Sequence, residues 1–579
     1  MFSDKQLQKI LVETKAFGEK EISGLHNEAK ERNLSLEEHL ISQKALNEEK
    51  LYGLVAQYYG VPFINLKNEN VRKDILFLIP EPIAQTHNVI AFNKTDSELM
   101  VASLDPQDLQ IFEFLRKKTG LDVKIHLTTP ESINESLKLY RQGLKAEFKQ
   151  FSPGTTEGEE IAVGADGKEL KELAQDLPVI RIVDTLLEYA ILENASDIHI
   201  EPGEKEVIVR YRIDGILRQV MTLPKSIHSG ITARIKILSD LKLDEHRLPQ
   251  DGRFKVEAPG YKVAFRVSII PTYDGEKIVL RLLNEKTGML SLEQLGFAPK
   301  ALDVVKRNMS KPHGLILVTG PTGSGKTTTL YAMINILNSP EVNITTIEDP
   351  IEYRMKGVNQ SQVNPKIGYT FAGGLRAYLR QDPDIIMVGE IRDKETAEIA
   401  IHAALTGHLV LSTLHTNDAP TTLPRLAEMG VPSFLVASTA NVIVAQRLVR
   451  KVCQDCMQSY ILTKVDLQKL EKQIDLESLL TTLENEGVVT KKQSKESLLF
   501  YRGKGCKKCG NSGYKGRLGI YETLEVDADI RELVIRNASG DEIMHKAREK
   551  GMLTILEDGF IKAKSGVTTI EEILRVTKQ

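Results

Sequence analysis

The chain has 579 residues, of which 41% are hydrophobic and 27% charged. Its 76 Lys and Arg residues balance 79 Asp and Glu residues, so the formal net charge of −3 gives no general attraction to nucleic acid. The longest apolar stretch, 431–449, is interrupted by Pro432, Ser433, Asn441 and Gln446, which excludes a membrane-spanning helix. The N-terminal sequence MFSDKQLQKI lacks the apolar core of a signal peptide, so we expect the protein to stay in the cytoplasm.

Two modules and a linker are predicted at the front of the chain. Residues 1–66 are predicted to be a helical module, because apolar residues such as Leu7 and Leu11 recur at helical spacing. Strand-like and helical runs alternate in residues 67–146, which predicts a small α/β subdomain. Residues 147–176 are rich in Gly, Glu and Thr and show no period, which predicts a flexible linker.

Two larger domains are predicted behind the linker. In residues 177–292, a helix precedes runs such as VIVRYRID and VAFRVSII, whose period-2 alternation is typical of an antiparallel sheet. In residues 293–579, apolar strands alternate with helices, which predicts a parallel sheet covered on both faces. The predicted class of the chain is therefore α/β, with an α+β domain in front of the parallel core.

A phosphate-binding loop is predicted at residues 320–327, which fit G-x-x-x-x-G-K-[ST] between an apolar strand and a helix. Its glycines let backbone N–H groups surround the phosphates of ATP, and the helix N-terminus adds partial positive charge. Lys326 is predicted to contact the outer phosphates, and Thr327 to hold Mg²⁺. The predicted ATP-binding residues are Gly320, Pro321, Thr322, Gly323, Ser324, Gly325, Lys326, Thr327 and Thr328.

Two glutamates follow apolar strands and are predicted to be catalytic. Glu348 and Glu390 lie where parallel strands end, so we expect both to face the ligand crevice, bind Mg²⁺ through water and orient the attacking water. Gly389 stands where many ATPases place a Mg²⁺-binding Asp, so Glu390 is expected to do most of this, assisted by Glu348. His408 and His415, at the two ends of the strand LVLSTL, are candidates for sensing the γ-phosphate.

Four cysteines form two C-x-x-C pairs in a module predicted at 450–518. At this spacing, four thiolates suit a closed, tetrahedral Zn²⁺ site of structural type; a redox pair is the alternative. Nearby lysines and arginines leave nucleic-acid binding as a second possibility for the module. The predicted metal ligands are Cys453, Cys456, Cys506 and Cys509.

Several motifs together resemble the ATPases of type II secretion and type IV pilus assembly. These are GPTGSGKTTTLY, TIEDPIEY, LRQDPDIIMVGEIRD and TGHLVLSTLHTNDA, in this order, preceded by ASDIHIEP, VRYRIDG and RLPQDGR. The resemblance covers about 178–579 and implies a RecA-like C-terminal domain, a PAS-like N-terminal domain and a homohexamer with ATP between the two domains. It also implies that arginines of the smaller domain reach the phosphates, namely Arg247, Arg266 and Arg281.

The resemblance implies a motor that powers type IV pilus assembly at the cytoplasmic face of the inner membrane. Its expected partners are an inner-membrane platform protein and a membrane-associated cytoplasmic adaptor, with no specific nucleic acid. Retraction ATPases generally lack both the cysteine module and the long front region, so assembly or secretion is favoured. The alternatives are a type II secretion ATPase, a nucleic-acid-translocating motor, and a nucleotide-binding regulator without turnover.

The helical front module is similar to modules that bind cyclic-di-GMP in some members of this family. Two copies of the motif L-G-x-x-L-[VIL]-x-x-G-[LI]-[LI] align at 7–17 and 36–46, with the apolar positions kept. All the glycines are replaced, and long side chains stand where Gly allows close approach or positive φ. We therefore expect the module to dock a partner and not to bind the dinucleotide. The replacing residues are Gln8, Lys15, Glu37 and Lys44.

Overall fold

The computed structural model describes residues 4–32, 34–43, 45–69, 71–137, 139–140, 177–258, 261–284, 290–490 and 495–578. The chain divides into two compact units, Met1–Lys286 and Thr287–Gln579. The linker predicted at 147–176 lies outside the described residues. Within the described ranges, no helix combines the length and apolarity needed to cross a bilayer.

The front of the first unit is a helical layer followed by a three-stranded sheet. Leu7, Leu11, Leu36 and Leu40 are buried in one core, as their helical spacing predicts. The helices are α1 (Asp4–Glu13), α2 (Glu19–Glu31), α3 (Leu36–Ser42), α4 (Glu48–Tyr59), α5 (Lys73–Leu76), α6 (Glu81–His87) and α7 (Leu109–Thr119). In the sheet, β2 (Glu98–Ser103) pairs antiparallel with β1 (Val89–Lys94) and parallel with β3 (Asp122–Leu127).

The rest of the first unit is an antiparallel sheet with two helices, α8 (Leu177–Leu192) and α9 (His228–Leu238). Six strands take the order β6-β5-β4-β9-β8-β7. Buried and more exposed positions alternate along them, which confirms the predicted period. The strands are β4 (Asp197–Pro202), β5 (Glu206–Ile213), β6 (Ile216–Pro224), β7 (Gln250–Ala258), β8 (Tyr261–Thr272) and β9 (Gly275–Asn284).

The second unit is built on a seven-stranded sheet of order β12-β11-β13-β14-β10-β15-β18, parallel except for the β15–β18 pair. Its central strands are buried along their whole length, as expected when helices cover both faces. The strands are β10 (Gly314–Thr319), β11 (Ile344–Glu348), β12 (Val358–Gln362), β13 (Ile385–Val388), β14 (Leu409–Leu414), β15 (Ala440–Val452) and β18 (Tyr514–Glu525).

Two apolar cores cover this sheet. The helices of the second unit up to β15 are α10 (Leu292–Leu295), α11 (Pro299–Met309), α12 (Lys326–Leu337), α13 (Phe371–Tyr378), α14 (Lys394–Leu405), α15 (Thr422–Glu428) and α16 (Ser433–Thr439). The apolar stretch 431–449 is thus divided between α16 and the buried strand β15, which the sequence patterns did not separate.

The segment between the cysteine pairs is an ordered insertion. It contains the hairpin β16 (Met457–Ile461) and β17 (Leu499–Gly503) and the helices α17 (Lys464–Glu471) and α18 (Leu476–Asn485). Its apolar residues share one core with the C-terminal helices, which joins the insertion to the end of the chain. The C-terminal helices are α19 (Ala528–Ile535), α20 (Gly540–Glu549), α21 (Ile555–Lys564) and α22 (Ile570–Thr577). Of these, α21 and α22 contribute to the core of the insertion, whereas α19 and α20 belong to a core of the large sheet.

Candidate functional site

The phosphate loop runs from the end of β10 to the start of α12, as its motif predicts. Gly320, Gly323 and Gly325 take φ values of 144°, 79° and 90°, where side chains are strained. A Cβ on Gly320 would lie 2.5 Å from the carbonyl oxygen of Gln446, the neighbouring strand residue. Glycine is therefore required here by both conformation and space, and the loop keeps a narrow backbone cradle.

Two side chains of the loop fit an anionic ligand. Lys326 Nζ donates to the carbonyl oxygens of Gly320 at 2.8 Å and Pro321 at 3.2 Å, which places the ammonium at the loop. Burial lowers the pKa of Lys326 to about 8, an effect that the negative charge of Glu390 opposes. Ser324 Oγ is buried, and none of the described residues hydrogen-bonds it. A cation and an unbonded hydroxyl beside a glycine cradle suit the phosphates of ATP.

Glu390 lies two residues beyond β13, and its side chain is 15% exposed. His415 Nε2 lies 3.1 Å from one carboxylate oxygen, and Arg392 pairs with the other. The structure therefore brings Glu390 and His415 together at the carboxyl edge of the parallel sheet. A Cβ on Gly389 would lie 3.2 Å from the carbonyl oxygen of Ile347, so the tight packing of β11 against β13 favours glycine there.

Glu348 differs from its prediction. It is the last residue of β11 but only 2% exposed, and three donors occupy its carboxylate. Thr346 Oγ1 and Gln360 Nε2 donate to one oxygen at 2.6 and 3.1 Å, and the Tyr331 hydroxyl donates to the other. Burial raises the pKa of Glu348 despite these bonds. Glu348 is thus buried where it was expected to face the crevice, and because neighbouring side chains bond both oxygens, we no longer expect it to hold Mg²⁺ through water.

His408 also differs from its prediction. It immediately precedes β14, whereas His415 immediately follows it, so the strand separates the two imidazoles. Because β14 runs parallel to β10, the phosphate loop lies at the His415 end. His408 Nδ1 instead lies 2.9 Å from the carbonyl oxygen of Ala403. His408 therefore lies at the end of β14 away from the phosphate loop, and we no longer expect it to sense the γ-phosphate.

The four cysteines form one compact cluster. Their sulfur atoms all lie within 4.8 Å of one another, with the Cys453–Cys506 and Cys456–Cys509 sulfurs 3.8 and 3.9 Å apart. Four thiolates around Zn²⁺ at a Zn–S distance of about 2.3 Å would have sulfur atoms roughly 3.8 Å apart. The spacing of the four sulfur atoms is compatible with a closed tetrahedral metal site.

The arginines of the six-stranded sheet are grouped differently from the prediction. Arg266 is paired directly with Arg281 on β9 and with Arg253 on β7. Directly opposed residues share a face of the sheet, so these three arginines form one row, and Arg281 Nε also donates to Asp197 at 2.9 Å.

Arg247 lies in the loop before β7, outside the strand ladder. The row of Arg253, Arg266 and Arg281 therefore does not include Arg247, whose contact with phosphate stays a prediction. Arg247 and Arg253 both belong to RLPQDGR, and only the pairing of β7 with β8 shows that Arg253 lies in the row.

The front module keeps the predicted helices but changes the glycine argument. Lys15 stands at a glycine position of the motif and has a φ of 57°, so a lysine does adopt the left-handed conformation there. Glu37 accepts a hydrogen bond from the Tyr52 hydroxyl at 2.7 Å, which fixes its carboxylate. Lys44 lies outside the described residues. The replacements therefore add bulky side chains at the glycine positions, and Glu37 adds a negative charge whose position is fixed by Tyr52.

Comparison with known proteins gives two family matches. The model for "Type II/IV secretion system protein" matches residues 172–575, and the MshEN domain model matches residues 59–147. The chain is 40% identical to the type IV pilus assembly ATPase PilB of Myxococcus xanthus over 98% of both chains. It is 38% identical to PilB of Pseudomonas aeruginosa over 99% of this chain and 98% of the relative.

Type II secretion system protein E of Pseudomonas aeruginosa is 46% identical over 71% of this chain and 78% of the relative. These matches confirm the resemblance predicted from the motifs, and the mostly parallel sheet behind the front region confirms the predicted α/β class. The chain belongs to the type II/IV secretion system family and is an ATPase.

Proposed function

We propose that this ATPase powers type IV pilus assembly as a homohexamer at the cytoplasmic face of the inner membrane. The observation that carries this is coverage: relatives named as pilus assembly ATPases match the chain from end to end. Type II secretion relatives cover less of this chain, namely 71% for protein E of Pseudomonas aeruginosa and 87% for protein E of Dickeya dadantii. Pilus assembly is therefore favoured over type II secretion, which is the second candidate.

The chemistry proposed is ATP hydrolysis at the phosphate loop. Lys326 binds the outer phosphates, the loop from Gly320 to Thr328 surrounds them, and the Thr327 hydroxyl would hold Mg²⁺. When bound, Mg²⁺ neutralises charge on the β- and γ-phosphates. Glu390 orients the attacking water and accepts its proton, and His415, at hydrogen-bonding distance from Glu390, senses the γ-phosphate.

Charge on the transferred phosphoryl group needs further cations. Arg253, Arg266 and Arg281 form a row on the smaller domain that suits this role, because guanidinium groups bind phosphate oxygens in two-pronged fashion. In the proposed hexamer, such arginines complete the site from outside the domain that carries the phosphate loop. ATP would then control contacts between domains or subunits, which is how hydrolysis is converted to movement.

Zinc is proposed for the cysteine cluster, where it has a structural role. The four sulfurs leave no open coordination position for a reaction. The mechanical partners proposed are a platform protein in the inner membrane and a membrane-associated adaptor that docks on the front region. No specific nucleic acid is proposed as a partner.

Deleting the gene in its own organism tests this function. We expect surface pili to disappear and to return with the wild-type gene but not with the Glu390→Gln variant. Intact pili together with a lost secreted protein would favour type II secretion. With purified protein, light scattering should show hexamers when a non-hydrolysable ATP analogue is added. In a separate assay, the platform protein should stimulate ATP hydrolysis and DNA should not.

A further inference from the structure

Strand β15 lies directly beside the phosphate loop. It pairs in parallel with β10, and the last pair of the register joins Thr319 to Ala445. The next residues, Gln446 and Arg447, therefore run alongside Gly320, the first residue of the loop. The chemistry proposed above does not use these two polar side chains, and both contact elements of the ATP site.

Gln446 is 1% exposed and uses both ends of its amide. Its Nε2 donates to the carbonyl oxygen of Ser324 at 2.6 Å, and its Oε1 accepts from the Thr329 hydroxyl at 2.8 Å. These bonds tie the last turn of the loop to the first turn of α12. The fit is close, since a Cβ on Gly325 would lie 3.0 Å from Gln446 Nε2.

Arg447 extends the connection to the segment that follows His415. One guanidinium nitrogen donates to the carbonyl oxygen of Asn417 at 3.0 Å. The other would lie 3.2 Å from a Cβ on Gly320, so the group is pressed against the start of the loop. Burial lowers the pKa of Arg447, and its positive charge in turn contributes to the lowered pKa of Lys326.

We propose that Gln446 and Arg447 are positioning residues that hold the phosphate loop in its nucleotide-binding shape and align it with the segment after His415. A buried amide satisfied at both ends fixes a backbone more sharply than apolar packing does, because any other loop path leaves polar atoms unpaired. The inference rests on the proposed ATP site and deepens it.

The first test is the affinity of the full-length protein for a fluorescent ADP analogue with Mg²⁺. Gln446→Leu keeps most of the volume and removes both hydrogen bonds, and we expect the Kd to rise roughly tenfold. Gln446→Glu keeps the acceptor for Thr329 but turns a carboxylate toward the Ser324 carbonyl, and the Kd should rise at least as much. Unchanged ADP affinity in both variants would overturn the proposal.

A second variant removes the hydrogen bond between Gln446 and Thr329 by changing Thr329. Thr329→Val keeps the shape of the side chain and removes the donor to Gln446, so we expect a smaller rise in Kd, about threefold. Combined with Gln446→Leu it should add almost nothing, because the shared bond is already lost. Full additivity would show that the two side chains act independently. Thr329→Val also decides the matter if the Gln446 variants do not fold.

Arg447→Lys separates positioning from charge. It keeps the cation but loses the contact with Asn417, so we expect kcat to fall about tenfold while the ADP Kd stays within about threefold. The matched control for Gln446→Leu is Gln219→Leu, which removes an exposed Gln–Thr hydrogen bond on β6 and should change neither kcat nor the ADP Kd. An Arg447→Lys variant with wild-type kcat would refute the role given to Arg447.

Lys326→Ala, measured in parallel, separates this inference from the function on which it rests. Wild-type ADP affinity in Lys326→Ala would disprove the ATP site itself. Lost affinity in Lys326→Ala together with wild-type affinity in the Gln446 variants would disprove only the positioning role. Circular dichroism of each variant should show a thermal unfolding midpoint close to that of the wild type.

Discussion

The ends of β11 and β13 each carry a glutamate, and the structure gives the two side chains opposite surroundings. Glu348 is buried and bonded by donors from β11, β12 and α12, whereas Glu390 is accessible and faces His415 and Arg392. An apolar strand followed by Glu therefore places a carboxylate at the ligand edge of the sheet, but the neighbouring donors decide whether it can act on a ligand. By this criterion Glu390 is the catalytic candidate and Glu348 a structural acceptor.

The largest expected effect comes from Glu390→Gln. Removing the general base should lower kcat by about 10³-fold, roughly 4 kcal/mol of transition-state stabilisation, while ATP still binds. Steady-state phosphate release and equilibrium ATP binding measure the two quantities. Lys326→Ala is the contrasting variant, since it should lose ATP affinity as well as turnover. Wild-type turnover in Glu390→Gln would reverse the assignment of the two glutamates.

Loss of the metal should lower the stability of the C-terminal region and should not change which of the two glutamates is catalytic. Elemental analysis should find one zinc per chain, because four thiolates complete one tetrahedral site. Cys506→Ser should lower the unfolding temperature of the C-terminal region by on the order of 10 °C, since metal binding contributes folding energy. Ser459→Ala, an exposed serine in the hairpin of the insertion, is the control. A protein without zinc would contradict the assignment, and so would a disulfide between these cysteines in the native protein.

Glu348→Gln sharpens the comparison from the other side. Turnover should stay within about tenfold of wild type, because the carboxylate is buried and bonded to neighbouring side chains. Burial raises the folded-state pKa of Glu348, so the folded protein binds this proton more tightly than the unfolded chain. Its contribution to stability is therefore present at low pH and is lost as pH rises from about 4.5 through the raised pKa.

Thermal unfolding at several pH values measures that contribution. The difference between wild type and Glu348→Gln should shift against the wild type as pH rises through this window. A difference that does not change with pH would show that Glu348 titrates normally.

The smallest expected effect is that of cyclic-di-GMP, which we expect not to bind. Calorimetry of the full chain with cyclic-di-GMP should show no heat of binding, because long side chains and the held carboxylate of Glu37 occupy the glycine positions. Replacing Gln8, Lys15, Glu37 and Lys44 by glycine is the matched comparison. Micromolar binding by the unaltered protein would refute the argument from bulk and charge.

Contiguous patterns accounted for most of what could be predicted from the sequence. The phosphate loop, the cysteine pairs and the alternating strands are each defined by nearby residues, so their spacing predicts their structure. The row that Arg253 forms with Arg266 and Arg281 was not predicted, because it depends on the register of β7 against β8. Gln446 was noted only as a polar interruption, and its partners Ser324 and Thr329 lie more than 100 residues earlier.

Side-chain direction was the other limit. His408 and His415 flank the same strand with the same residue type, and only the parallel pairing of β14 with β10 shows which one lies at the phosphate loop. For Glu348, the bonding donors come from three different elements, and no local pattern announces them. The sequence thus predicts where a side chain lies along its strand, whereas its solvent exposure depends on how the strands and helices pack.

The most direct test of the contrast between the two glutamates is the chemical state of nucleotide bound in a single turnover. Glu390→Gln and Glu348→Gln, each loaded with radiolabelled ATP and Mg²⁺, are quenched in acid and the bound nucleotide is separated. We expect Glu390→Gln to hold intact ATP and Glu348→Gln to hold ADP, as the wild type does. Intact ATP on Glu348→Gln together with ADP on Glu390→Gln would contradict the assignment of catalysis to Glu390.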